Sequence, residues 1–260
     1  LFVTTSFDPG ENETEAGQKL AAGWNVPFLA RGRKSLKALF EEMKTDRAVI
    51  IGKNEWRYEE KNGFTFYFHP NMSALRVKHL MDGQPDRMVT AANLGKGDHV
   101  LDCTLGMGAD AIVASYVVGT SGRVVALESE PVIAEIVRHG LRHYETDRKS
   151  LIQAMRRVEV VSSNYQSYLQ ECEDQSFDVV MFDPMFRETV EGSAGIHMLK
   201  PLANATPLEW ESVQEAVRVA RKAVLLKERP KSGEFERLGF TIVKSSSSYA
   251  WGVIEKGGGQ

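Results

Sequence analysis

Cysteine is nearly absent: the 260 residues hold two, Cys103 and Cys172, far apart and in no C-x-x-C pair. That excludes a disulfide scaffold and suits a reducing, cytoplasmic compartment. Long hydrophobic runs are missing too. The apolar stretch around Val224 is far too short to cross a bilayer, which takes about 20 apolar residues, so no membrane partner is expected. There is also no basic excess. Lys and Arg total 32 against 35 Asp and Glu, a net charge of −3. No global positive field advertises nucleic acid, and any such contact must come from a local patch. Neither an internal repeat nor a low-complexity segment is visible. What is present is an ordinary globular composition, 42% hydrophobic and 26% charged, with a mean hydropathy of −0.29. This length holds one large domain or two modest ones.

From Val100 onward, apolar strand-like runs alternate with helical patterns. HVLDC, RVVALE, VEVVSS, FDVVMFD and KAVLLK read as buried strands. DAIVASYVV, PVIAEIVRHGLRHY, YQSYLQEC and PLEWESVQEAVRVAR between them read as helices, the second with Pro131 just inside its start. This rhythm predicts a mostly parallel sheet with helices on both faces, an α/β Rossmann-like architecture. The end differs: FTIVKSSSSYAWGVIEK predicts an antiparallel hairpin, so the last strand runs against the others. That arrangement resembles class I methyltransferases rather than dehydrogenases. The first 85 residues form a separate compositional unit, a small α/β domain ahead of a catalytic domain over 86–260. WRYEE and FTFYFHP within it flank Lys61-Asn62-Gly63, an Asn-Gly hairpin signal.

The stretch VLDCTLGMGAD, residues 100–110, joins the first strand of the larger domain to a helix. Its glycine spacing alone is weak evidence, because Ala111 is tolerated where the dinucleotide fingerprint has its third glycine. The discriminating residue is Asp102. A carboxylate there repels a pyrophosphate but suits S-adenosylmethionine, which carries an ammonium and a sulfonium and no phosphate. Gly106 and Gly108 let the backbone approach that ligand. Glu128, ending the next strand, is placed to accept both ribose hydroxyls. Ser162, Ser163 and Asn164 follow the third strand, where polar groups read an adenine edge. A helix N-cap is the competing role for this last group.

Asp183-Pro184-Met185-Phe186 ends the fourth strand on the same edge. It resembles the [D/N]-P-P-[Y/F] motif of methyltransferases that act on exocyclic or amide nitrogens. An exocyclic amine is a poor nucleophile because its lone pair is delocalised into the ring. Hydrogen bonds from its N–H groups to Asp183 and to the Pro184 carbonyl would localise that pair and aim it. Phe186 would stack on the base. The competing reading is a strand-ending Asp-Pro turn with a core Phe.

DCTLGMGAD, Glu128-Ser129, VVSSN, DPMF and VLLKERP together resemble the bacterial RsmJ-type methyltransferases over residues 97–230. The resemblance implies methylation of a guanine exocyclic N2 in small-subunit ribosomal RNA. Carried over by position, it implies cofactor contacts at Ala109, Asp110, Glu128, Ser129, Ser162, Ser163 and Asp183. Lys227 lies in a Lys-Arg-Pro-like element and is read as substrate-binding. Three departures stand out: Ala109 where an Arg is common, Glu228 interrupting the Lys-Arg-Pro run, and only Arg187, His197 and Lys200 after DPMF where the family has a denser lysine cluster.

The N-terminal FVTTSFDPG and FLARGRKSLKALFEEM are similar to the start of Brix-type ribosomal RNA-binding domains. Arg31, Arg33, Lys34 and Lys37 form a local basic cluster there, a candidate phosphate contact. A solvated helix start is the alternative. His139 and His143 have the i, i+4 spacing of a metal pair but no third ligand is evident, so no metal is expected. Residues 188–207 have the length and composition of a substrate lid. The expectation is a cytoplasmic N-methyltransferase using S-adenosylmethionine, with RNA as partner. The rivals are an enzyme acting on DNA or a small molecule, and a non-catalytic ribosomal RNA-binding factor that keeps the cofactor pocket.

Overall fold

The computed structural model describes residues 1–184, 202, 204 and 206–256. Its contacts group into two units, Leu1–His69 with Glu135–Glu145, and Pro70–Ala134 with the chain from Thr146. The sequence reading drew a single boundary at 85/86. Here the grouping divides at His69, and a piece of a later helix joins the first unit.

The first unit holds a five-stranded sheet in the order β2-β1-β3-β4-β5. Its strands are β1 (Phe2–Thr5), β2 (Phe28–Leu29), β3 (Arg47–Ile51), β4 (Trp56–Glu60) and β5 (Thr65–Tyr67). β1 is parallel to β2 and β3, and β4 lies antiparallel between β3 and β5. Two helices provide the crossovers. α1 (Glu11–Trp24) opens with Glu11 and Glu13 against its dipole, and α2 (Leu36–Met43) is capped by Ser35, whose hydroxyl accepts from Ala38 N at 3.2 Å. Phe2, Leu39, Phe40, Ala48 and Ile50 form the core, with Phe2 and Phe40 edge to face at 5.8 Å. The Asn-Gly signal is realised in the β4–β5 hairpin, where Gly63 takes φ +94° and Asn62 Oδ1 accepts the Phe64 N–H.

The second unit is built on a seven-stranded sheet, order β11-β12-β10-β9-β6-β7-β8. The strands are β6 (His99–Asp102), β7 (Arg123–Glu128), β8 (Val158–Ser162), β9 (Phe177–Phe182), β10 (Ala220–Glu228), β11 (Thr241–Ser245) and β12 (Ala250–Glu255). From β8 to β10 every pairing is parallel, while β12 lies antiparallel between β10 and β11. The closing hairpin therefore inserts its last strand next to the parallel set. Helices α3 (Asn71–Met81), α4 (Arg87–Ala92), α5 (Ala109–Val118), α6 (Pro131–His143), α7 (Lys149–Arg157), α8 (Tyr165–Glu171), α9 (Trp210–Val219) and α10 (Glu234–Arg237) connect the strands. α5 has almost no polar face: six consecutive residues from Asp110 to Ser115 are buried, so it is an interior helix and not a surface one.

Strand alternation sorts the site. Asp102 pairs with Ala126 and with Met181, and Met181 with Leu225. Side chains two apart share a face, so Asp102, Glu128, Asp183 and Lys227 share one face at the carboxyl edge. Cys103, Leu226 and Glu228 belong to the other, where Leu226 packs with Phe182, Val213 and Leu238. From Glu135 on, α6 counts with the first unit. Gly140 leaves no room there for a side chain, since a Cβ would fall 2.1 Å from Cγ of Phe68.

Candidate functional site

The β6–α5 loop turns through two left-handed glycines, Gly106 at φ +49° and Gly108 at φ +74°. Any other residue would be strained at either position. The loop is held to the sheet by Cys103 N donating to Met181 O and Leu105 N donating to Leu127 O, at 2.9 and 2.8 Å. Gly108 is the N-cap of α5, which puts Ala109 and Asp110 in the helix's first turn.

Asp110 is the middle of a buried charge chain. Its Oδ1 accepts from Arg76 Nη1 and its Oδ2 from Lys227 Nζ at 3.2 Å. Arg76 continues to Asp86, Nε to Oδ2 at 2.8 Å, and Lys227 continues to Asp183 Oδ2 at 2.7 Å. Lys227 Nζ also lies 5.3 Å and 5.5 Å from the ring centres of Tyr249 and Trp251. Burial alone would raise the Asp110 carboxyl, but Lys227 and Arg76 outweigh it and hold it well below the usual range. Burial likewise opposes the charge on Lys227, and Asp110 and Asp183 reverse that and raise its pKa.

Two other carboxyls remain under-neutralised. Asp102 is 2% exposed, and burial, reinforced by Asp110 and Asp183, pushes it up to about 8. Asp183 is pushed up to about 6, chiefly by burial, with Lys227 opposing and Asp110 adding. Thr104 ties the two together: its N–H donates to Asp102 Oδ1 at 3.0 Å, and its hydroxyl accepts the Asp183 N–H at 2.6 Å. Among the described residues, four carboxyl groups (Asp86, Asp102, Asp110, Asp183) thus gather around two cations, Arg76 and Lys227, an acidic excess that a positively charged ligand would complement.

Glu128 turns back onto the loop, accepting Gly106 N at 3.2 Å and Glu130 N at 3.0 Å, and its burial raises its pKa. Ser129 follows it. Ser162 ends β8, and Ser163 N donates to Glu128 O at 2.9 Å, so the two polar strand ends are adjacent. Asn164 is the N-cap of α8, its Oδ1 accepting Gln166 N at 2.7 Å; the capping role considered for this group falls to Asn164. Pro184 adjoins Asp183, and Phe186 lies outside the described residues, as do Met185, Arg187, His197, Lys200 and most of the lid candidate at 188–207. Cys103 is buried and its thiol is raised by that burial, which disfavours a reactive thiolate.

The basic cluster is divided. Arg31 is 7% exposed, with its guanidinium 4.0 Å from the centre of the Phe7 ring and donating to the Lys34 and Thr5 carbonyls. Lys34 pairs with Glu42 at 2.7 Å. Arg33 and Lys37 are exposed. Arg76, Asp86 and Thr104 were missed by the sequence reading. Thr104 had a signal in the D-x-T spacing; Arg76, 34 positions before Asp110, had none.

The SAM-dependent methyltransferase family model (SAM_MT) matches residues 51–238. The uncharacterized protein YpiP of Bacillus subtilis (strain 168) is 39% identical over 98% of this chain and 99% of its own. The ribosomal RNA small subunit methyltransferase J of Cellvibrio japonicus is 33% identical over 41% of each chain, and that of Psychrobacter cryohalolentis 24% identical over 82% of this chain and 79% of its own. The crystal structure of the SAM-dependent methyltransferase NGO1261 from Neisseria gonorrhoeae superposes with a TM-score of 0.65 at 13% identity, covering 100% of this chain and 98% of that one. The RsmJ-type resemblance is borne out by these relatives, whereas the Brix-type likeness finds no support among them. With its methyltransferase sheet and an acidic loop suited to S-adenosylmethionine, the chain belongs to the SAM-dependent methyltransferase family and is an enzyme of that class.

Proposed function

We propose that this enzyme methylates the exocyclic N2 of a guanine in small-subunit ribosomal RNA, in the cytoplasm. The observation that carries the reading is Asp183. It is a half-buried carboxylate at the end of β9, followed by Pro184 and held by Lys227 and Thr104 on the face that also carries Asp102 and Glu128. Relatives named ribosomal RNA small subunit methyltransferase J supply the substrate class.

S-adenosylmethionine, when bound, supplies a methyl group on a positively charged sulfur. Asp102 would face its ammonium, Gly106, Gly108, Ala109 and Asp110 would form the bed beneath it, and Glu128 with Ser129 would take the ribose hydroxyls. Ser162, Ser163 and Asn164 would lie along the adenine. Asp183 and the Pro184 carbonyl accept the amine N–H groups, restoring lone-pair density to the nitrogen and fixing its direction. Asp183 takes up the proton that the nitrogen sheds as it gains its new bond. Phe186 would stack on the base.

In the N-terminal region, read as residues 1–85, Arg33 and Lys37 would contact phosphates. Arg31 is committed to Phe7 and two carbonyls, and Lys227, read as substrate-binding, would act on the substrate through its bond to Asp183. The test is labelled-methyl transfer to small ribosomal subunits, deproteinised ribosomal RNA and DNA, followed by mapping of the modified nucleotide. Transfer to DNA alone, or to no nucleic acid, would overturn the reading.

A further inference from the structure

Lys227 and Glu228 are consecutive in β10 and so point to opposite faces of the sheet. Lys227 serves the charge chain. Glu228 is 8% exposed and lines a cavity of about 690 Å³ that also contacts Pro184, Leu208, Leu226, Leu238 and Ser246. That volume is within the ordinary range for small-molecule sites, about 300–1,000 Å³. Leu226 pairs with Phe182, so two residues further along each strand Glu228 comes level with Pro184. The Glu228 Oε1 accepts the Arg229 N–H at 2.6 Å, and no other donor reaches its carboxylate among the described residues. A carboxylate this buried, with one backbone hydrogen bond and a cavity before it, has a second oxygen open to a donor from a ligand. Burial and the nearby Glu234 and Asp183 carboxylates raise its pKa, so a donor from a ligand is all the more favourable there.

We infer that this cavity receives the target base and that Glu228 selects guanine by accepting its ring N1–H. The inference rests on the reading of Asp183 and Pro184 as holders of an exocyclic amine. Pro184 borders the cavity, so an amine held there places the adjoining ring edge beside β10. Among the bases that carry an exocyclic amine, only guanine has a ring N–H next to it. Adenine and cytosine present a ring-nitrogen lone pair at that position, which a carboxylate repels. Pro184, Pro207 and Pro230 line the cavity with apolar surface that suits the faces of a flipped purine, and Glu228 supplies the edge contact. A site built around a hydrogen-bond donor rejects analogues lacking it far more strongly than an apolar pocket rejects a misfit.

The experiment pairs one change in the protein with one in the RNA. Methyl transfer by the full chain is measured on small-subunit ribosomal RNA carrying either guanine or 2-aminopurine at the mapped target. 2-Aminopurine keeps the exocyclic amine but lacks N1–H. The wild type is expected to prefer guanine by on the order of 10- to 100-fold in kcat/KM, as for a hydrogen bond to a charged group. Glu228→Leu, which removes the acceptor, is expected to lose that preference, with the two changes no worse together than either alone. Its affinity for S-adenosylmethionine should stay within about two-fold, which shows that the domain is folded. Equal use of guanine and 2-aminopurine by the wild type overturns the inference without needing any variant. So does a Glu228→Leu enzyme with undiminished preference, and in both cases N-methylation of RNA still stands. Absence of transfer to any RNA by the wild type would instead remove the proposed function, and the inference with it.

Discussion

The ammonium of Lys227 lies 2.7 Å from Asp183 Oδ2 and bridges it to Asp110 at 3.2 Å. Without this cation, the Asp183 carboxyl would stand uncompensated beside Asp110. Its pKa would then rise further above the value of about 6 that it has with Lys227 in place. Lys227→Met should therefore move the rising limb of the kcat/KM profile upward by about one pH unit or more, while Lys227→Arg restores much of it. Removing one partner of a buried pair also costs about 3–5 kcal/mol of stability, so thermal unfolding should be followed alongside. A Met variant with an unmoved pH profile would show that Lys227 has only a packing role.

Asp183 itself separates chemistry from cofactor binding. If it mainly aims the amine, Asp183→Ala should lower transfer by about 10³-fold or more, as when preorganised electrostatic groups are removed. Affinity for S-adenosylmethionine, measured by titration calorimetry, should stay within a few-fold. A parallel collapse of affinity would mean that the carboxylate chiefly serves the cofactor.

Placing the cofactor's ammonium against Asp102 carries a pH signature. The carboxyl titrates at about 8 in the free protein, with Asp110, Asp183, Lys227 and the Thr104 N–H around it. Below that pH it is mostly protonated and must release its proton to face a cation. Binding should thus tighten as pH rises, by up to about tenfold per unit, and level off above about 8. Asp102→Asn should flatten the dependence. Calorimetry in two buffers of different ionisation enthalpy reads the released proton directly, and no proton release near pH 7 would contradict this placement.

The parts of the fold that could be read in advance are those with a local signature. Buried strands, Pro131 at a helix start, the Asn-Gly hairpin and the polar hairpin at the end each carry their own pattern within a few residues. Asp102 was legible because its charge sign argues against a phosphate ligand. Partnership across the sheet was not legible. Lys227 reads as a substrate residue from its Lys-Arg-Pro-like element, and the register of β10 against β9 is what turns it onto Asp183 while turning Glu228 away. Arg76 reaches Asp110 from a separate helix, which no spacing announces. α6 was legible as a helix from its apolar period, but a period does not say which sheet a helix packs on. Nor does it announce that Gly140 meets Phe68, just beyond β5.

That same helix carries a histidine with an acid-stability consequence. His139 is stacked on Trp56, ring centres 4.3 Å apart, and on His143 at 4.2 Å. Its Nε2 is buried and has no hydrogen-bond partner among the described residues. Burial, with His143 adding, lowers its pKa to about 4. The unfolded chain would titrate this residue near 6.5, so between about 6.5 and 4 the unfolded state binds more protons than the folded state. The contribution to stability is therefore complete above about pH 6.5 and is lost as the pH falls toward 4, by about 2 kcal/mol once solvent screening of this partly exposed ring is allowed for. His139→Phe keeps an aromatic ring for Trp56 and removes the titration. Urea unfolding at pH 7 and at pH 4.5 should show a smaller loss of stability in the variant than in the wild type, by about 2 kcal/mol. An unchanged difference would mean that His139 is protonated as readily in the folded protein as in the unfolded chain.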